Sequence, residues 1–76
     1  MTEIIFILDR SGSMEGLEAD TIGGFNSMMR KQASEPGDAL VSTLLFDNDV
    51  EVIHDRLNIK DVPEITSKEY YVRGCT

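Results

Sequence analysis

The stretch Ile4-Ile5-Phe6-Ile7-Leu8, followed by Asp9-Arg10-Ser11-Gly12-Ser13, decides how this chain can fold. The first five residues form a continuous apolar run rich in β-branched and aromatic side chains. Such a run, without polar alternation, is typical of a strand buried on both faces, as in a parallel sheet covered by helices. The second segment consists of small and polar residues and therefore predicts a loop at the end of that strand.

An amphipathic helix is predicted over Leu17–Gln32, because apolar residues recur there at helical spacing. The apolar face consists of Leu17, Ile22, Phe25, Met28 and Met29. The opposite, polar face consists of Glu18, Asp20, Asn26, Arg30 and Lys31. The pair Gly23-Gly24 interrupts the pattern at a cost of about 1 kcal/mol per glycine relative to alanine. Since the pattern continues beyond the pair, we expect an unbroken helix whose glycines approach the sheet closely.

A β-hairpin is predicted after the helix. Ala39–Phe46 is a second strand, Asp47–Asp49 a tight turn, and residues 50–54 the returning partner. In that partner Val50 and Val52 alternate with an acidic residue, which indicates one covered and one wetter face. Two short helical turns, Lys60–Glu64 and a capping-box segment over residues 66–69, complete the pattern.

The order strand, polar loop, helix, strand, hairpin strand predicts an α/β fold. Residues 1–76 then form a single unit, the start of an α/β sandwich. The polar loop follows the carboxyl end of the first strand, which is where such sheets bind ligands.

Composition excludes several functions. The net charge is −7, from 14 acidic and 7 basic residues, so a nucleic acid or an anionic membrane surface would be repelled. No apolar run is long enough to span a membrane, and the N-terminus lacks the basic start of a signal peptide. The single Cys75 cannot form an intramolecular disulfide. We therefore expect a cytoplasmic protein.

The loop after the first strand carries the candidate site. Asp9, Ser11 and Ser13 place three oxygen-bearing side chains at alternate positions, and Gly12 lets the backbone turn tightly between the serines. One carboxylate and two hydroxyls supply part of the oxygen shell that Mg²⁺ prefers. The alternative is that Asp9 and Ser11 only cap the following helix, since Asp and Ser are favoured N-cap residues.

The segment Ile5–Met14 resembles the start of the metal-ion-dependent adhesion site, with the pattern Asp-x-Ser-x-Ser, in von Willebrand factor type A domains. Val41–Asp47 is similar to the second strand of that family, and Gly74–Thr76 to the loop that carries its metal-binding threonine. The resemblance covers most of the chain and is strongest to bacterial stand-alone members. It implies the N-terminal part of a Rossmann-like three-layer α/β/α sandwich.

The resemblance also implies a ligand set. Ser11 and Ser13 would bind Mg²⁺ or Mn²⁺ through their hydroxyls, Asp9 would bind directly or through water, and Thr76 would approach from a second loop. The family's further metal-binding aspartate has no counterpart here. A protein ligand would complete the metal shell with a carboxylate, so the resemblance implies a binding module and not an enzyme.

The missing part of the family's sheet leaves one edge of the first strand, Ile4–Leu8, without a partner. An unpaired apolar edge is a template for another chain. We therefore expect either a homodimer or a higher oligomer that forms through this strand, or a native gene product longer than these 76 residues.

Two other functions remain as alternatives. The first is a self-associating structural fragment without metal function. The second is a phosphoaspartyl hydrolase with Asp9 as nucleophile, but Ser11 occupies the place of the second carboxylate that such enzymes use as general acid. Of the other residues, His54 is interpreted as a strand residue and not as a metal ligand. Cys75 is interpreted as a small residue near the site, and the pair Tyr70-Tyr71 either lines a binding rim or packs under a loop.

Overall fold

A computed structural model describes residues 2–72 and contains a three-stranded mixed sheet with one α-helix. The elements are β1 (Thr2–Asp9), α1 (Glu18–Ala33), β2 (Ala39–Phe46) and β3 (Val50–Asn58), with 3₁₀ turns at Gly12–Met14 and Ile59–Asp61. The predicted α/β class and the order strand, loop, helix, strand, hairpin strand are confirmed. No helix within residues 2–72 is long and apolar enough to cross a membrane.

The strand order is β1-β2-β3. Strands β1 and β2 are parallel, from the pair Thr2↔Ala39 to the pair Asp9↔Phe46. Strand β3 returns antiparallel to β2, with Phe46 opposite Val50. The loop after β1 and the β2–β3 hairpin loop consequently lie at the same end of the sheet. Strand β1 has one neighbour within residues 2–72, as the prediction of an open edge requires.

Only one face of the sheet is covered in the described part of the chain. Helix α1 packs on the face that carries Phe6, whose ring meets that of Phe25 edge-on at 5.3 Å between centroids. On the other face Ile5 and Ile7 are 66% and 65% exposed. The prediction that β1 is buried on both faces is therefore wrong for residues 2–72, because a single helix can cover only one side. Val50 and Val52, expected on a covered face, are exposed for the same reason.

The core lies between α1, the inner face of the sheet and the segment after β3. Its buried apolar residues are Phe25, Met29, Val41, Leu45, Ile59, Ile65 and Tyr70. Leu17 and Met28 were predicted on the apolar face of the helix but are exposed. Leu17 precedes the first turn of α1 as its N-cap residue, so it lies outside the regular helical face.

Of the two predictions for the pair Gly23-Gly24, one is confirmed and one is wrong. Helix α1 continues without a break across Gly23 and Gly24, as predicted. However, a Cβ atom built at either glycine meets no atom within 4 Å, and both residues are exposed. The predicted close approach to the sheet is wrong, because these two positions lie on the side of the helix that faces away from the core.

Asn26 is a buried connector between α1 and the segment after β3. Its side-chain amide donates to the Ile65 carbonyl at 2.9 Å, and its side-chain oxygen accepts from the Ile65 amide at 2.9 Å. The helical pattern placed Asn26 on the polar outer face, which is wrong. Because the side chain satisfies both backbone groups of one residue, it can be buried without stranding polar atoms.

The turns agree with the predictions in outline. The Asp47–Asp49 turn is confirmed, and the Asp49 amide donates to the Asp47 carboxylate at 2.9 Å. The helical turn predicted at Lys60–Glu64 is a 3₁₀ turn over Ile59–Asp61. It ends before Val62, because a residue that precedes a proline disfavours helical geometry. Residues 66–69 form a turn in which the Thr66 amide donates to the Glu69 carboxylate at 2.7 Å, one half of the predicted capping box.

His54 is a buried residue of strand β3, on the covered face of the sheet. This agrees with its interpretation as a strand residue. Its Nδ1 lies 2.9 Å from the Thr43 hydroxyl, and its ring stacks on Phe25 with centroids 6.1 Å apart. Burial lowers the pKa of His54 below its ordinary value of 6.5, against an opposing effect of the Glu69 charge. The neutral imidazole is therefore the form that the core accommodates.

Stability should consequently fall as the pH drops below about 6.5. In that range the unfolded chain binds a proton at His54 that the folded chain resists, which favours unfolding. Well above 6.5 both states are neutral at this residue, and the contribution is fully present. Urea denaturation between pH 5 and 7 measures the effect, and His54→Gln should flatten the slope. An equal slope in His54→Gln would contradict this assignment.

Candidate metal centre

The loop between β1 and α1 is built on local hydrogen bonds. The Ser11 amide donates to Asp9 Oδ1 at 2.7 Å, which turns the chain immediately after the strand. The Met14 amide then donates to the Ser11 carbonyl at 2.9 Å and closes the 3₁₀ turn over Gly12–Met14. Such side-chain-to-backbone bonds are the ordinary means by which Asp and Ser shape tight turns.

The three predicted loop ligands lie together. The hydroxyl oxygens of Ser11 and Ser13 are 2.8 Å apart, and the Asp9 carboxylate is held against the Ser11 amide. Asp9 and Ser11 are half-buried, while Ser13 is exposed, so the cluster remains open to solvent on one side. The fourth predicted ligand, Thr76, lies outside the described residues, as do Gly74 and Cys75 of the second predicted loop.

The electrostatic environment favours the charged form of Asp9. Hydrogen bonds from Ser11, first from its hydroxyl and then from its amide, hold the Asp9 pKa below its ordinary value of 3.8. The carboxylate is thus ionised at neutral pH. An ionised carboxylate is what a cation site at this loop needs.

The capping alternative fails for helix α1. The N-cap residue of α1 is Leu17, with no side-chain hydrogen bond at the cap, so neither Asp9 nor Ser11 reaches the first turn. Glu18 and Asp20 in that turn supply the negative charge that a helix N-terminus favours. Ser11 is instead the N-cap residue of the 3₁₀ turn, without a side-chain hydrogen bond at that cap, and the Asp9 carboxylate accepts from the Ser11 amide.

The donor set suits a hard divalent cation. A carboxylate and two hydroxyls are hard oxygen ligands, and Mg²⁺ is commonly held in proteins by one or two carboxylates together with waters. Within residues 2–72 no group of three His, Cys, Asp or Glu side chains is arranged to hold a metal ion, so the oxygens of this loop would have to act with a single carboxylate. Metal binding at Ser11 and Ser13 would replace the hydrogen bond between their hydroxyls.

Arg10 is the residue of this site that the sequence analysis missed. Its side chain is 1% exposed and lies beneath the loop. Its Nη2 is 2.8 Å from Glu51 Oε1 and its Nε is 3.4 Å from Asp47 Oδ2. The Tyr71 ring lies 5.7 Å from the guanidinium carbon. The sequence does indicate that Arg10 is buried, because strand alternation places position 10 on the same side as Phe6 and Leu8.

Tyr70 supports the loop from below. The side chain is fully buried, and its hydroxyl donates to the Asp9 carbonyl. Burial raises the Tyr70 pKa, with a hydrogen bond to Thr21 acting in the opposite direction, so the hydroxyl keeps the proton that it donates. For Tyr70 the interpretation as a residue packed under a loop is confirmed, whereas Tyr71 is exposed.

Comparisons of the chain with family models, with curated proteins and with solved structures find no match.

Proposed function

We propose that the chain is a metal-ion-dependent protein-binding module of the von Willebrand factor type A kind, comprising the N-terminal part of such a domain. The observation that supports this is the convergence of Asp9, Ser11 and Ser13, with the two hydroxyl oxygens 2.8 Å apart at the carboxyl end of β1. Mg²⁺ or Mn²⁺ binds to these oxygens.

The partner is a protein that supplies a carboxylate. The loop provides a single anionic ligand, so a cation bound there keeps most of its positive charge and open coordination positions. Because the chain carries a net charge of −7, an acidic ligand is repelled unless a cation lies between the two surfaces. Metal dependence and partner choice are thereby coupled, and no covalent step is involved.

Mg²⁺ titration tests the proposal. We expect saturable Mg²⁺ binding, measured by calorimetry or by amide chemical shifts, that is lost in Asp9→Asn. The asparagine keeps an oxygen that can accept from the Ser11 amide but removes the charge that binds the cation. Ser11→Ala should weaken binding without abolishing it, because the carboxylate and the Ser13 hydroxyl remain.

Asp49→Asn is the matched control for that titration. Asp49 lies in the hairpin loop at the same end of the sheet, is exposed, and carries the same charge. If Asp49→Asn weakens Mg²⁺ binding as much as Asp9→Asn does, the cation responds to the general acidity of the surface, and the proposal is wrong.

Self-association through β1 is the second part of the proposal. Its supporting observation is the outer edge of Thr2–Asp9, which has no strand partner within residues 2–72, together with the exposed Ile5 and Ile7. We expect sedimentation to show concentration-dependent dimers. Ile5→Lys with Ile7→Lys should shift the equilibrium to monomers, because charged side chains on an edge strand oppose strand pairing.

Val52→Lys serves as the comparison for this experiment. Val52 lies on the same exposed face but on β3, at the other edge of the sheet. Association that survives Val52→Lys and is lost in the β1 variant agrees with pairing at β1. Equal loss in both would show that the apolar face, and not the β1 edge, carries the contact.

A further inference from the structure

The buried guanidinium of Arg10 forms ion pairs that join the β1–α1 loop to the β2–β3 hairpin. Its guanidinium contacts Glu51 at 2.8 Å and Asp47 at 3.4 Å, residues that follow it by more than thirty positions in the sequence. None of its Nε, Nη1 and Nη2 atoms makes a well-aligned hydrogen bond, although all three are buried. The contacts are thus ion pairs that hold the guanidinium by charge.

Burying a guanidinium is unfavourable unless other groups compensate its charge. Here the compensation comes from two carboxylates of a single hairpin and from the face of Tyr71. A leucine would fill the same core position without needing carboxylates to compensate a charge. The arrangement therefore ties the conformation of the loop to the position of the hairpin.

The backbone around Arg10 is fixed at two further points. The Arg10 amide donates to the Phe46 carbonyl at 2.8 Å, and the Asp9 carbonyl accepts from the buried Tyr70 hydroxyl. Successive residues of an extended chain point to opposite sides. Anchoring the Arg10 side chain on the inner face consequently directs the Asp9 side chain away from the core and toward Ser11.

We propose that Arg10 is a positioning residue, which holds the Asp9–Ser13 loop in the conformation that brings its three oxygens together. Its role in cation binding rests on the proposed function, whereas its role in shaping the loop does not. Arg10 touches neither the cation nor the partner and acts through the backbone that it shares with Asp9.

Four variants test the inference. Arg10→Lys keeps the charge but loses the planar fork that spans both carboxylates. Arg10→Met removes the charge, and Glu51→Gln weakens the pair from the hairpin side. Arg56→Met is the matched control, because Arg56 forms an exposed ion pair with Glu3 across the same sheet.

In the folded protein, Arg10→Lys, Arg10→Met and Glu51→Gln should weaken Mg²⁺ binding by about 10–100-fold, as is usual for residues that orient metal ligands. Arg56→Met should leave the affinity unchanged. The conservative variants Arg10→Lys and Glu51→Gln keep the test decisive if Arg10→Met does not fold.

The direction of these changes separates positioning from a simple effect of charge. If Arg10 acted only through its field, Arg10→Met would tighten Mg²⁺ binding by removing a nearby positive charge, and Arg10→Lys would leave it unchanged. Either of those results would overturn the inference.

A measurement without metal tests the loop itself. The Ser11 amide, which donates to Asp9 Oδ1, should lose protection from hydrogen exchange in Arg10→Lys and in Glu51→Gln, but not in Arg56→Met. Unchanged protection of the Ser11 amide in both Arg10→Lys and Glu51→Gln would contradict the positioning role. Absence of Mg²⁺ binding to the parent chain would instead contradict the proposed function, and the exchange result would still decide the role of Arg10.

Discussion

Tyr70→Ala should lower the free energy of unfolding by about 3–5 kcal/mol, the usual cost of removing a large buried aromatic side chain. Tyr70 is fully buried in the core cluster, and its hydroxyl donates to the Asp9 carbonyl. Truncation removes packing from the core and the support beneath the β1–α1 loop at once. A domain of this size has little stability to spare, so much of the population should unfold.

Tyr70→Phe separates the two contributions. It keeps the ring but removes the hydrogen bond, which should cost about 0.5–1.5 kcal/mol. Urea denaturation followed by circular dichroism measures both changes. Tyr71→Ala is the control, because that ring is exposed and should cost less than truncation of Tyr70. A loss in Tyr71→Ala as large as that in Tyr70→Ala would show that the packing assigned to Tyr70 is wrong.

Asn26→Ala should lower the free energy of unfolding by about 2–6 kcal/mol, because it strands two buried polar groups. The substitution leaves the amide and the carbonyl of buried Ile65 without their partners, and each stranded buried polar group costs about 1–3 kcal/mol. The segment after β3 should then detach from α1 before the sheet unfolds, because both hydrogen bonds join these two elements. Hydrogen exchange at the Ile65 amide reports that local opening.

A second variant at Asn26 and a control at its neighbour test whether the two hydrogen bonds cause the loss of stability. Asn26→Asp keeps an acceptor for the Ile65 amide but has no donor for the Ile65 carbonyl, so it should remain destabilised at neutral pH. Ser27→Ala changes the exposed neighbour on the same helix and should stay within about 0.5 kcal/mol of the parent. An Asn26→Ala protein as stable as Ser27→Ala would contradict the connector role.

Much of the fold could be predicted because it depends on patterns between residues that are close in the sequence. The apolar run of β1, the helical spacing before Gln32 and the alternation around the Asp47–Asp49 turn each lie within a few residues. Whether a second layer covers the sheet is not local. The sequence of β1 is the same with one face covered or two, and the structure of residues 2–72 covers one.

The candidate site shows the same limit. Asp9, Ser11 and Ser13 were predicted together because they share one loop. The ion pair of Arg10 depends on Asp47 and Glu51, which only the fold brings near. Likewise, helical periodicity gave Asn26 an outer position, since its partner Ile65 lies 39 residues away.

Mn²⁺ titration followed by NMR line broadening would locate the bound cation, because a paramagnetic ion broadens the amides nearest to it. Broadening at low Mn²⁺ should be centred on residues 9–13 and should disappear when Asp9 is changed to asparagine. Broadening centred on the acidic hairpin turn at Asp47–Asp49, or spread evenly over the acidic surface, would contradict a cation site built on Asp9, Ser11 and Ser13.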